Sequence, residues 1–116
     1  MKQASDFSKI LLWREPVDMR KQINGLAEIV EGELQENLFE NTLFLFCNKK
    51  RDLVKAIYFD KAGFCLWIKK LDSDRFPWFR KADQAELTIS ARDFELVVDG
   101  VDVFKRHRKL NFTSYS

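Results

Sequence analysis

Residues 43–71 read LFLFCNKKRDLVKAIYFDKAGFCLWIKKL, and this stretch decides the fold. Three apolar runs follow one another, over residues 43–47, 53–59 and 64–71, and short polar segments separate them. These runs are rich in Val, Ile, Phe, Tyr and Trp, which favour strands, and short turns join neighbouring strands in antiparallel order. The first run is apolar on both faces, as a central strand is. We therefore predict an antiparallel meander whose second turn holds Gly63 at positive φ.

The sequence on the N-terminal side of the meander predicts a strand and a helix. Residues 10–14 form a short apolar run, and Pro16 interrupts the pattern. Apolar side chains then recur with the three-and-four spacing of an amphipathic helix; they are Ile23, Leu26, Ala27, Val30 and Leu34. We predict this helix over about residues 18–36, with the Asp18 carboxylate as its N-cap.

The C-terminal side adds a brief strand and a second helix. Leu87 and Ile89 indicate the strand, and Ser90 has the features of an N-cap for a helix over residues 91–99. Gly100 stands where a left-handed residue commonly ends a helix. The predicted order is β-α-β-β-β-(β)-α.

This order predicts a small single domain of the α+β class, an antiparallel β-meander with an N-terminal strand and two helices packed on one face. We expect the domain over residues 10–104. A flexible N-terminus, residues 1–9, precedes it, and a basic then polar tail, residues 105–116, follows it.

Composition narrows the class of protein. The 116 residues are 46% hydrophobic and 14% aromatic, which is enough apolar bulk for one packed core. No apolar run approaches the roughly 18 residues of a membrane span, so a cytoplasmic protein without membrane contact is expected. A zinc site needs about four ligands, and His107 is the only histidine. Cys47 and Cys65 are therefore expected to be reduced core thiols, and no metal or cofactor is predicted.

The charge is unevenly distributed along the chain. The formal net charge is +2, yet residues 41–81 hold ten Lys or Arg against four Asp or Glu, a net charge of +6. Residues 1–40 carry a net charge of −3, from five basic and eight acidic residues. A basic block of this kind favours polyanions, above all nucleic acid. The alternative is a solvated surface that keeps a Phe-rich chain soluble.

The basic residues gather at one end of the predicted meander. Its first and third strands run in the same direction, so their C-terminal ends lie at the same edge of the sheet. The predicted nucleic-acid contacts are Lys49, Lys50, Arg51, Lys55, Lys69 and Lys70, joined from the following loop by Arg75, Arg80 and Lys81. Such a rim makes salt-sensitive, largely sequence-independent contacts with phosphates. The alternative for its lysines is a solvated edge that blocks strand addition.

Three of the next four residues have two interpretations each. Phe76 and Trp78 either stack on bases or anchor their loop on the core, and we prefer the anchor. Arg20 and Lys21 lie in the first turn of the predicted helix, where cations oppose the helix dipole. Arg20 either pairs within the chain with Asp18 or Asp60, which we prefer, or contacts a phosphate or a partner.

Catalysis finds less support in the sequence. The acids available for a metal-dependent nuclease are Asp60, Asp72, Asp74, Asp99 and Asp102. Each lies at a predicted turn or helix end, where Asp serves local capping. A glycine-rich phosphate loop and a nucleophilic triad are both missing. We predict a protein that is not an enzyme, with nuclease activity as the minor alternative.

A series of short motifs points to one family. They are Pro16-Val17-Asp18-Met19-Arg20-Lys21, Gly25-Leu26, Leu43-Phe44-Leu45-Phe46, Asn48-Lys49-Lys50-Arg51-Asp52, Lys55, Tyr58-Phe59-Asp60, Gly63-Phe64, Lys69-Lys70-Leu71 and Arg75-Phe76-Pro77-Trp78. Together they resemble the transposase accessory protein, often called TnpB, of bacterial elements in the "insertion sequence sixty-six" family. The chain departs from the family at Cys47, where a basic residue is common, at Phe59, where many members have Trp, and at Phe79, where Pro is usual. The change at Cys47 weakens the phosphate-contact argument there.

The resemblance implies a small non-catalytic protein that supports DNA transposition beside a separate transposase of the same element. The helix face formed by Glu28, Glu31, Glu33 and Glu36 is acidic and suits a protein partner. An adaptor that binds nucleic acid through the basic rim and bridges to the transposase is the preferred hypothesis. A module that binds the transposase without touching DNA is the alternative. The sequence leaves the oligomeric state open.

Overall fold

The computed structural model describes residues 2–80 and 84–104, which form a five-stranded mixed sheet and two helices. The elements are β1 (Lys9–Trp13), α1 (Ile23–Glu28) with its π-helical continuation Ile29–Glu33, β2 (Thr42–Cys47), β3 (Leu53–Asp60), β4 (Gly63–Lys70), β5 (Glu86–Ile89) and α2 (Ala91–Val98). The α+β class, the meander and the brief strand β5 are confirmed. In these residues no helix has both the length and the hydropathy to cross a membrane.

The meander forms one side of the sheet, whose strand order is β4-β3-β2-β1-β5. β2, β3 and β4 pair antiparallel, while β1 runs parallel to β2 and antiparallel to β5. Cys47 pairs with Val54, and Val54 pairs with Lys69. The C-terminal ends of β2 and β4 therefore lie at one end of the sheet, which we call the rim end.

The two helices cover opposite faces of the sheet, which corrects the prediction that both pack on one face. Leu11 and Phe44 pack with the helix α1, whereas Leu12 and Leu45 pack with α2. Consecutive side chains of a strand point to opposite faces. Because β2 is buried along its whole length, both of its faces need a cover, and each helix supplies one.

The first helix begins later than predicted, and Asp18 is not its N-cap. The Asp18 carboxylate instead accepts the Arg20 backbone N–H at 2.9 Å, a local bond that competes with helix formation. The chain is extended at Gln22 and becomes helical at Ile23. The helix ends before Gln35, whose φ of 54° is left-handed and stops the helical path.

The second helix is bounded as the sequence predicts. The Ser90 hydroxyl accepts the Asp93 backbone N–H at 3.0 Å, and Gly100 has a φ of 89°. The second turn of the meander differs from the prediction, because the residue at positive φ is Lys61, with a φ of 59°, and not Gly63.

The segment before β1 packs on the α2 face of the sheet. Ala4–Asp6 forms a 3-10 turn, and Ala4 and Phe7 are buried. The Phe7 ring meets Tyr58 edge-on, with 5.1 Å between ring centroids. Two residues of the N-terminal segment thus contribute to the core. The predicted tail at residues 105–116 lies outside the described residues.

Candidate nucleic-acid interface

The turn between β2 and β3 is built by Asn48. Its side-chain oxygen accepts the backbone N–H groups of Asp52 and Leu53 at 3.1 Å each, and its amide donates to the Asp52 carboxylate at 2.6 Å. Inside this frame Lys49 and Lys50 are exposed. The sequence motif had indicated only a charged turn at this position. An Asn directly before a run of charged turn residues is the signal for the role of Asn48.

Lys70 joins these lysines through the strand register. It pairs with Leu53, the first residue of β3, and is exposed. The Asn48 amide lowers the pKa of the Asp52 carboxyl, and the charges of Lys70 and Lys50 lower it further. Both lysines therefore lie close enough to Asp52 to act on the same carboxylate.

The loop after β4 returns to this turn and brings further cations. The Phe76 backbone N–H donates to the Arg51 carbonyl at 2.6 Å, so Arg75 lies beside the turn, with its side chain exposed. Arg80 is exposed and lines, together with Arg51 and Pro77, a cavity of about 400 Å³. Lys81, the remaining predicted contact, lies outside the described residues.

Phe76 and Trp78 anchor this loop, as the preferred interpretation has it. Both rings are buried in the core on the α2 face. The Trp78 indole N–H donates to the Trp13 carbonyl at 3.0 Å, which fixes the loop to β1. Rings held in this way offer no open face for base stacking.

Arg51 links the rim to the core. Its guanidinium lies 5.5 Å from the centroid of the Trp78 ring, and its Nη2 donates to the Arg14 carbonyl at 3.4 Å. Burial raises the pKa of the Cys47 thiol, while the Arg51 guanidinium opposes this shift. Arg51 is half-buried, with a backbone φ of 62°. Much of its charge is therefore directed at the protein itself.

Two predicted contacts are bonded to the protein itself: Lys55 is buried, which corrects its assignment to the surface, and Lys69 is partly exposed. Lys55 is 3% exposed, and its ammonium donates to the Met19 and Lys21 carbonyls at 2.8 Å each. Lys69 donates to the Val98 carbonyl at 2.7 Å and lies 3.4 Å from the Asp99 carboxylate. Alternation along a strand sends these side chains into the two faces, where the segment before α1 and the end of α2 bind them.

The exposed rim is the set of predicted cations that remain at the surface. Its members are Lys49, Lys50, Lys70, Arg75 and Arg80. The exposed acids Asp72 and Asp74 lie on the same loop as Arg75 and offset part of this charge. The structure thus brings the exposed rim together around the β2–β3 turn and excludes Lys55 and Lys69 from it.

Arg20 is engaged by Asp18, which supports the preferred internal pair. Its Nη2 donates to Asp18 Oδ2 at 2.6 Å, and its Nε is within 3.1 Å of both carboxylate oxygens. These bonds lower the pKa of the Asp18 carboxyl to about 2. Lys21 is exposed and is held by its backbone carbonyl on Lys55. The buried Lys55 ammonium therefore holds the backbone of the segment before α1 through these carbonyl contacts.

A second charged feature lies beside α1. A cleft of about 520 Å³ is lined by the acids Glu15, Glu28 and Glu33 and by the apolar side chains of Val17 and Ile29. Glu31 is exposed. Glu36 of the predicted acidic face pairs instead with Lys9, at 3.3 Å. Over residues 2–80 and 84–104, no three His, Cys, Asp or Glu side chains are grouped as metal ligands.

Comparison with known proteins identifies similar chains. The family model described as IS66 Orf2 like protein matches residues 8–108. The uncharacterized protein y4jC of Sinorhizobium fredii is 33% identical over 101 residues, which cover 87% of this chain and 86% of y4jC. The uncharacterized protein y4hO of the same organism is 34% identical over 85 residues, 73% of each chain. No solved structure matches this chain.

Proposed function

Because this chain belongs to the IS66 Orf2-like family, we propose that it is a non-catalytic accessory protein of DNA transposition that contacts nucleic acid through its exposed rim. The observation that carries the proposal is the convergence of Lys49, Lys50 and Lys70 at one end of the sheet. The Asn48 bonds order the backbone of the turn, so Lys49 and Lys50 project from a defined position at the rim end.

The chemistry of the exposed rim suits phosphates more than bases. Its cations are flexible side chains on a turn and a strand end, and the aromatic rings behind them are buried. Contacts from Lys and Arg to phosphate oxygens provide affinity and register, whereas base edges provide sequence specificity. We therefore expect binding that varies little with DNA sequence and weakens as salt displaces the protein from the phosphates.

Fluorescence anisotropy with a labelled duplex tests this proposal. The chain offers two variants with the same loss of charge. Lys50→Ala with Lys70→Ala removes two cations from the exposed rim, whereas Lys61→Ala with Arg92→Ala removes two exposed cations from the opposite end of the sheet. We expect the first variant to weaken binding by about tenfold or more at low salt and the second to change it much less. Equal losses would mean that net charge alone drives binding.

A second candidate function is bridging to the transposase of the same element. The observation that favours it is the acidic cleft beside α1, because its lining has four acids against the single base Lys21 and also contains apolar side chains, which suits a partner segment with basic and apolar side chains. Pull-down with that transposase tests this function. Glu28→Lys with Glu33→Lys should abolish retention, and Glu40→Lys with Glu95→Lys, the same change of charge at exposed acids outside the cleft lining, should preserve it. Full retention by the cleft variant would rule out the cleft as the contact.

Absence of catalysis is part of the proposal and has its own test. Incubation of the purified chain with plasmid DNA and Mg²⁺ or Mn²⁺ should produce no strand cleavage. Reproducible cleavage that disappears in an Asp60→Ala variant would establish the nuclease alternative.

A further inference from the structure

The cavity beside the exposed rim has the composition of a ligand site. Its volume is about 400 Å³, within the range of roughly 300–1,000 Å³ that is typical of small-molecule pockets. Three charged and three apolar side chains line it: Arg51, Arg80, Asp102, Phe76, Pro77 and Trp78. Apolar walls with a small number of polar groups are the usual lining of such pockets.

The charge of the lining selects for an anion. Two guanidinium groups, those of Arg51 and Arg80, face one carboxylate, that of Asp102. A guanidinium binds phosphate through two parallel N–H groups, whereas a lysine acts as a point charge. The rings of Phe76 and Trp78 are 3% and 6% exposed and keep water from one side of the cavity. Charges there are therefore screened less than those on the open rim.

Arg51 is held in place and has unused hydrogen-bond donors. Its guanidinium lies 5.5 Å from the centroid of the Trp78 ring. Its Nη2 donates to the Arg14 carbonyl at 3.4 Å, which is long for a hydrogen bond. Its Nη1 is buried and has no hydrogen-bond partner within residues 2–80 and 84–104. Buried donors without an acceptor are uncommon in folded proteins, and a ligand with several acceptor oxygens suits this one.

We infer that the cavity binds a terminal phosphate monoester, the group at the end of a nucleic-acid strand. The inference rests on the proposed function, because it takes nucleic acid as the ligand. A terminal monoester is attached through one ester oxygen and can enter a cavity end-on, whereas an internal phosphodiester continues in two directions and needs an open groove. The monoester also carries about −1.5 to −2 charges at pH 7, which two guanidinium groups can bind together.

The cavity adjoins the exposed rim, so one strand can contact both. Arg51 follows Lys50 in the chain, and the Arg51 carbonyl accepts the Phe76 N–H at 2.6 Å, which joins the turn to the loop. A strand whose internal phosphates contact Lys49 and Lys50 can therefore place its end at Arg51. Because the rings in the lining are buried, the terminal phosphate is recognised and the terminal base is not.

Fluorescence anisotropy of the full chain with three labelled duplexes tests the inference. The first duplex ends in a 5′ hydroxyl on a short overhang, and the second carries a phosphate at that position. The third is the first lengthened by one base pair, which adds similar charge as internal phosphates. The second should bind about tenfold tighter than the first at low salt, and the third should bind like the first. Equal binding of the second and third duplexes overturns the inference.

Variants distinguish this inference from the proposed function. Arg80→Gln should remove the preference for the phosphorylated duplex, and Arg92→Gln, at an exposed arginine on the opposite end of the sheet, should retain it. Lys50→Ala with Lys70→Ala should weaken binding of both duplexes and leave their affinity ratio unchanged. A ratio near one in the natural chain, with rim-dependent binding intact, overturns the cavity site alone. A ratio of about ten with binding that does not depend on Lys50 and Lys70 overturns the role of the rim alone.

NMR titration with thymidine 5′-monophosphate tests the cavity without DNA. The Trp78 indole N–H resonance, assigned with Trp78→Phe, should shift with the monophosphate and not with thymidine. The Trp67 indole is the internal control, because its ring packs near Phe94, at 6.0 Å between centroids, and does not line the cavity. Equal shifts of the Trp78 resonance with both compounds, or no shift with the monophosphate, overturn the inference.

Discussion

Asp18 and Arg20 form an exposed pair whose effect on stability depends on pH. The Arg20 hydrogen bonds lower the pKa of Asp18 to about 2. A carboxylate with a lowered pKa stabilises the fold above its ordinary pKa of about 4 and loses that contribution as the pH falls towards the folded-state value. Carbon NMR titration of the Asp18 carboxyl should therefore give a midpoint near 2, and Arg20→Met should return it towards 4. A midpoint near 4 in the natural chain would contradict the ion pair.

Lys55 is predicted to act on stability and not on nucleic-acid binding. Its ammonium holds the Met19 and Lys21 carbonyls, and hydrogen bonds from a charged donor contribute about 1.5–3 kcal/mol. Lys55→Met should lower the free energy of unfolding by a similar amount in urea denaturation, whereas Lys61→Met, at an exposed turn, should change it by less than about 0.5 kcal/mol. If Lys55→Met left stability unchanged and weakened DNA binding, Lys55 would belong to the nucleic-acid interface.

At the scale of elements, substitution of two glycines measures the effect of backbone conformation on stability, because an added Cβ would meet no neighbouring atom at either position. A Cβ at Gly32 or Gly100 meets no atom within 4 Å, but Gly32 lies in the helical turn Ile29–Glu33 and Gly100 has a φ of 89°. Gly32→Ala should raise the free energy of unfolding by about 0.5–1 kcal/mol. Gly100→Ala should lower it by about 1–2 kcal/mol. Thermal unfolding measures both changes, and effects of the same sign would contradict the described backbone.

Elements with strong local signals could be predicted, and those that depend on distant contacts could not. The strands of the meander, the Ser90 cap and the Gly100 end follow from apolar runs and turn residues near them in sequence. The late start of α1 depends on the contact between Arg20 and Asp18. The positive φ of Lys61 could not be predicted, because lysine rarely adopts this backbone conformation. The sheet face that each helix covers could not be predicted from the local sequence either, because β2 is apolar on both of its faces.

The same division applies to the candidate site. The strand order and direction were sufficient to gather Lys49, Lys50 and Lys70 at one end of the sheet. Whether a lysine stays at the surface depends on what packs over its strand face, so Lys55 and Lys69 could not be assigned from sequence. The anchoring of Trp78 on the core could be preferred from its residue type, whereas its hydrogen bond to Trp13 depends on the fold.

At the scale of the whole molecule, the sheet separates two kinds of surface. The rim end carries exposed cations around the β2–β3 turn. The opposite end carries the aromatic rings of Phe39, Phe59 and Phe64, which contact one another beside the outer edge of β4. The charged surface and the apolar edge are therefore separate features of the molecule. The central proposal concerns the rim end, where we propose that a small number of defined side chains contact phosphates.

The salt dependence of DNA binding tests this claim most directly. Removing one cation that binds a phosphate of duplex DNA reduces the slope of log K against log salt by about 0.9. The variant Lys50→Ala with Lys70→Ala should therefore have a slope smaller by roughly 1.8 than the natural chain, while Lys61→Ala with Arg92→Ala should keep the natural slope. The same slope in all three proteins, or no detectable binding at low salt, would contradict the role of the exposed rim.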